Sequence, residues 1–189
     1  MNTGDLASAA ELELFDDTLS CDVVVPAQFI ADATVQRSGS SEMLLRSIAL
    51  VEDSRSNEDA DERNDSSAQL QRLEARMDLT LVLLGRLLQQ SAPTLPALPV
   101  RWSRLGLRLD GVQSDSAVTG GSGVIRLQPA EWLPDFIELP VMVLAQAPST
   151  AGSSLWLRLQ PVSDALMSAL ERHLFRLHRK QVADSRRNR

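Results

Sequence analysis

The sequence predicts an α+β chain: a small barrel or sandwich of short strands closed by a C-terminal helix, with a helical segment inserted after the first strand. Three observations carry this. Between residues 95 and 160, short apolar runs, several alternating with polar residues, are separated by turn signals. From Ser163 onward the apolar spacing becomes helical. Between 37 and 92 the composition changes to a charged stretch followed by a leucine-rich one.

Composition bounds the alternatives. A chain of 189 residues, 43% hydrophobic, can build a real core. The single cysteine, Cys21, rules out a disulfide scaffold. The longest apolar runs, near Leu81–Leu84 and Leu139–Ala145, fall far short of the ~18–20 residues a membrane span needs. Leucine supplies 31 residues and isoleucine four; 18 of the 19 basic residues are arginine. The net charge of −6 is uneven: residues 1–65 hold 15 acids and four bases, residues 66–189 ten acids and 15 bases. The first basic residue is Arg37, and residues 1–20 carry no export signal, so a cytoplasmic location is expected.

The elements follow in order. Leu12–Ala33 contains a strand, Cys21–Ile30, with an edge or bulge expected at Pro26. Cys21, beside Val23–Val25, reads as a buried thiol. Ser38–Ser41 ends the strand. Met43, Leu44, Ile48 and Val51 then share one face of a short helix. Glu52–Asp65 places nine charges in 14 residues, a solvated helix surface or a linker. Arg104–Asp110 and Leu155–Gln160 alternate with period two, and Ser114–Gly123 is a turn. Ser163 is a candidate N-cap for a helix striped by Leu166, Leu170, Leu174 and Leu177, with basic residues at its C-terminal end. Residues 182–189 are expected to be a disordered basic tail.

The stretch 70–90 is the strongest physical signal. Leu70, Leu73, Met77, Thr80, Leu84 and Leu87 follow a three-four spacing, and Met77, Leu81, Leu84 and Leu88 form a second stripe. Such a helix must be covered on more than one side. One reading makes it the central helix of a single domain. The other makes it a self-association helix, with a closed tetramer favoured over a dimer because the apolar face is broad.

The strand order closed by Ser163–Lys180, the stretch Trp102–Leu107 and the strand-rich Asp135–Pro140 resemble the PilZ domain family. The resemblance covers residues 12–35 and 95–181 and leaves 37–92 as a helical insertion for oligomerisation. It implies a six-stranded antiparallel β-barrel with a C-terminal helix, bacterial signalling around motility, pili or virulence, and the ligand cyclic di-GMP. The family holds that ligand with an arginine pair before the first strand and a second signature, Asp or Asn-x-Ser-x-x-Gly. Here no arginine precedes Arg37; Ser103 and Gly106 match the second signature, and Arg101 stands at its acidic or amide position. Arg101, Ser103, Arg104 and Gly106 are thus the residual nucleotide-motif positions, and weak or absent binding is expected. A displaced arginine source, such as Arg101 and Arg104, is the alternative.

Other classes fit less well. His173 and His178 are five apart, too far round a helix to share a metal, and read as helix-surface residues. No phosphate loop or nucleophile elbow occurs, so neither an enzyme nor a cofactor is expected. Arg172–Arg189 is basic but has only Phe175 as an aromatic, which makes nucleic acid an unlikely ligand class. The expected partners are copies of the chain and an unidentified protein.

Overall fold

The first strand, β1 (Ser20–Ala31), divides itself between two neighbours. Ser20–Pro26 pair with β2 (Ala97–Ser103), and Ala27–Ala31 pair with β4 (Ser122–Leu127). Pro26 sits at the handover, where the ladder can spare a donor. The edge or bulge expected at Pro26 is therefore a corner. With β3 (Gly106–Val112), β5 (Ile137–Ser149) and β6 (Gly152–Leu159), the strands close in the order β1-β2-β3-β6-β5-β4, all antiparallel. Closure removes free sheet edges. The structure is a computed structural model that describes residues 3–35, 38–58, 77, 80, 84, 95–113, 117–133, 135–149 and 151–187.

The period-two pattern places the core. Along β5, Ile137, Leu139, Val141 and Val143 are buried in it and their neighbours less so; past the irregularity after Val143, Ala145 is buried on the α1 side instead. Val100 and Trp102 from β2, Leu107 and Leu109 from β3, and Leu155 and Leu157 from β6 join the same interior. The C-terminal helix, here α3 (Asp164–Arg187), adds Leu166, Leu170 and Leu174 to it. Ser163 caps this helix: the Leu166 N–H donates to its Oγ at 3.2 Å. Helix α3 runs to Arg187, so the expected disordered tail is helical to that point.

Two further helices complete the fold. Helix α1 (Thr3–Phe15) precedes the barrel and was not foreseen. Helix α2 (Ser38–Glu58) packs on α3 and β5. Ser38–Ser41, expected to break the chain, form its first turn. The Ser41 hydroxyl accepts from Glu138 N–H and donates to Glu138 C=O, fixing α2 to β5. Among the described side chains of α2, Ser41, Leu45 and Ile48 are buried, whereas Met43 is 70% exposed. Of the expected face, Ile48 is buried, Leu44 packs against the core and Val51 is half-buried; only Met43 points away, its place in the core taken by Leu45. The charged stretch is helical through Glu58.

His173 also departs from expectation. It is 1% exposed rather than on the helix surface, its ring 5.7 Å from that of Trp102. Phe175, by contrast, is exposed. Cys21 is buried, donates to the Leu174 carbonyl at 3.3 Å, and has its thiol pushed up to about 11 by burial and by Asp22.

Candidate functional site

Outward residues of β2, β3 and β6 form a rung across the barrel. Arg101 lies between the inward Val100 and Trp102; Arg108 lies between the inward Leu107 and Leu109. Arg101 pairs directly with Arg108, and Arg108 with Trp156 of β6. Two like charges directly opposite on a sheet repel. Here a carboxylate separates them. Glu11 of α1 accepts from Arg101 Nη1 at 2.7 Å and from Arg108 Nη1 at 3.0 Å through Oε1, and from Trp156 Nε1 at 2.6 Å through Oε2. The two arginines and the glutamate are each about one-third exposed or less. Burial alone would lower the pKa of Arg108, but Asp110 and Glu11 outweigh it and hold the group above its ordinary value.

Helix α1 roofs this rung. Ala10, Leu14 and Phe15 pack with Trp156 and Ala145 in a small core of their own. Trp156 is an outward residue, buried only because α1 covers it. The Arg101 guanidinium lies 4.7 Å over the Phe15 ring, at the helix end where a cation suits the dipole.

The sequence-nominated positions fall around this roof. Ser103 is fully buried and donates to the Leu14 carbonyl at 2.7 Å, one of the carbonyls left over at the end of α1. Its oxygen also accepts from Leu105 N–H at 3.1 Å and Gly106 N–H at 3.3 Å, holding the β2–β3 turn. Gly106 lies where β3 meets β6 beneath Leu14. Arg104 faces elsewhere, 3.4 Å from Glu171 of α3. The structure thus gathers Arg101, Ser103 and Gly106 and leaves Arg104 out; Glu11, Arg108 and Trp156 were not foreseen as site residues.

Of the seven nominated oligomerisation positions, Leu70, Leu73, Leu81, Leu87 and Leu88 lie outside the described residues. Met77 and Leu84 are helical and 58% and 51% exposed. Trp102 and Trp156 belong to different cores, and Trp132 lies in a turn. Among the described residues no cluster of three metal-ligating side chains occurs, and no helix is long and apolar enough to cross a membrane.

Residues 45–187 match the family described as atypical PilZ domain, cyclic di-GMP receptor. The chain belongs to the PilZ family. A similar solved structure is a pathogenic protein from Xanthomonas campestris, 45% identical over 95% of this chain and 99% of that one, with a TM-score of 0.79. That protein is described as a new tetrameric PilZ domain self-assembled via an unusual helical bundle. No curated protein matches. The PilZ match begins inside α2, so α1 and β1 lie outside it, although β1 completes the barrel. In this PilZ domain, Ser103 and Gly106 of the second signature serve the turn and the α1 contact.

Proposed function

We propose that this PilZ chain is a non-catalytic signalling adaptor that assembles with copies of itself and binds cyclic di-GMP weakly or not at all. The observation that carries this reading is Glu11. It occupies Arg101 and Arg108 on the face that bears the second signature. Arg104, the other arginine of the alternative receptor reading, faces Glu171 instead. No arginine precedes Arg37 to supply the family's first motif. A charge-assisted hydrogen bond contributes roughly 1.5–3 kcal/mol, so the missing pair costs about 10²–10⁴ in affinity. Calorimetric titration of the full chain with cyclic di-GMP should give no binding in the sub-micromolar range. A sub-micromolar constant that Arg101→Ala abolishes would favour the receptor with a displaced arginine instead.

Self-association is supported by two lines. The leucine stripes of 70–90 need more cover than one partner face gives, and the Xanthomonas neighbour assembles through a helical bundle. The insertion 37–92 is assigned this role and the barrel, 12–35 with 95–181, the partner-binding role, in a cytoplasmic setting. Size exclusion with light scattering should return four copies at micromolar concentration. The double change Leu84→Glu with Leu88→Glu should reduce that mass to one or two copies while the near-ultraviolet circular dichroism of the barrel persists. Loss of that spectrum would instead favour a single shared core.

A further inference from the structure

The face beneath α1 has the features of a helix-reading surface. Three donors from three adjacent strands, Arg101, Arg108 and Trp156, converge on one carboxylate of Glu11. The barrel gives Arg108 a carboxylate of its own, Asp110 at 3.2 Å, whereas among the described ion pairs Arg101 meets only Glu11, so the docked helix supplies the anion that separates the side-by-side arginines. Three and four residues further on, Leu14 and Phe15 are the helix's large apolar anchors, on the same stripe as Glu11. At the helix end, Ser103 reads the Leu14 carbonyl. The face therefore recognises a helix by a carboxylate, two apolar residues in register with it, and a C-terminal carbonyl.

Helix α1 is also separable. Its buried residues form one cluster with Trp156 and Ala145, and none of them belongs to the cluster that fills the barrel. Its outer side carries Leu12, 62% exposed, and it joins β1 through a turn at Asp16–Leu19. At its N-terminal end Thr3, Gly4 and Asp5 are exposed, and only Leu6 and Ala7 pack against the cluster before Ala10.

We propose that this face is an exchangeable docking site: α1 fills it in cis, and a partner helix bearing the pattern Glu-x-x-Leu-Phe fills it in trans. The inference rests on the adaptor reading and names the chemistry of the partner. Displacement of α1 is then the event that couples partner binding to the barrel, with Glu11 acting as a built-in competitor.

The test uses the full chain and a fluorescent synthetic peptide of residues 3–15. In a Leu14→Asp chain, α1 should be released and the peptide should bind at least tenfold more tightly than to the unaltered chain. A Glu11→Gln peptide should bind at least tenfold more weakly than the native one. A folded Leu14→Asp chain that ignores the peptide, or equal affinity for the two peptides, would overturn the proposal. Should Leu14→Asp abolish folding, an otherwise native chain with a protease site placed between Asp16 and Leu19 decides. After cleavage the labelled peptide should exchange for α1, and retention of α1 without exchange overturns the proposal. Nucleotide calorimetry separates the two readings. Peptide exchange together with tight cyclic di-GMP binding would leave the docking site standing and remove the adaptor reading; neither peptide exchange nor nucleotide binding would do the reverse.

Discussion

Gly106→Ala is expected to cost about 3 kcal/mol of folding stability and to lower the thermal midpoint by about 10 °C at fixed protein concentration. A Cβ at this position would overlap the Leu157 carbonyl oxygen and lie 2.9 Å from Leu14 Cδ2 and 3.1 Å from Arg158 Cα. The first obstacle is backbone of a paired strand, which cannot swing aside as a side chain can. Adding Leu14→Ala removes only the second obstacle, so the double variant should stay at least as unstable as Gly106→Ala. An unchanged midpoint for Gly106→Ala, read by circular dichroism, would refute this. The signature glycine is explained by close strand approach and needs no ligand to account for it.

Acidification should weaken the fold through His173. Burial, then the nearby Arg176 charge, lower its pKa from 6.5 to about 4. The Pro129 carbonyl favours the protonated ring slightly, but neither ring nitrogen completes a hydrogen bond of ordinary geometry among the described residues. The unfolded chain therefore binds the proton first. The stabilisation from keeping this ring neutral is fully present above pH 6.5 and is lost as the pH falls towards 4. It amounts to about 3 kcal/mol, from ~1.4 kcal/mol per pKa unit. Urea titrations across that window should show the decline, and His173→Phe, which keeps a ring against Trp102, should flatten it. An equal decline in both proteins would assign the acid sensitivity to other groups. Arg176, whose Nε lies 3.0 Å from Glu52 of α2, is the cation that disfavours a charge on His173 from the same helix.

Much of the barrel was legible because its signals are local. The alternation of Arg104–Asp110 and the four-residue spacing of Leu166, Leu170 and Leu174 are written within single elements. What escaped depends on contacts between distant segments. Leu6, Ala10 and Leu14 do lie four apart, but alanine contributes so little apolar bulk that the stripe of α1 passes for a lead-in. Met43 is apolar yet exposed, and His173 polar yet buried, because α2 and α3 choose their inner faces by what they meet.

The site divides the same way. Arg101, Ser103 and Gly106 stand in a short motif and could be nominated. Glu11, Arg108 and Trp156 could not, because only the register of three strands brings positions 101, 108 and 156 into one rung. The helix that supplies Glu11 joins them from 90 or more residues away in sequence.

The division of β1 between two neighbours bears on how this architecture tolerates change. β1 ends at Ala31 and β2 begins at Ala97, yet Val25 and Leu98 stand directly opposite in the ladder. The entropy of bringing such remote segments together grows only logarithmically, about 0.6 kcal/mol for each doubling of the intervening length. Lengthening or exchanging the stretch between Glu58 and Ala97 is therefore almost free for the barrel, which is secured on both halves of β1. On the proposed assignments, subunit number and surface recognition can thus drift independently over evolutionary time, one through the intervening sequence and the other through the rung.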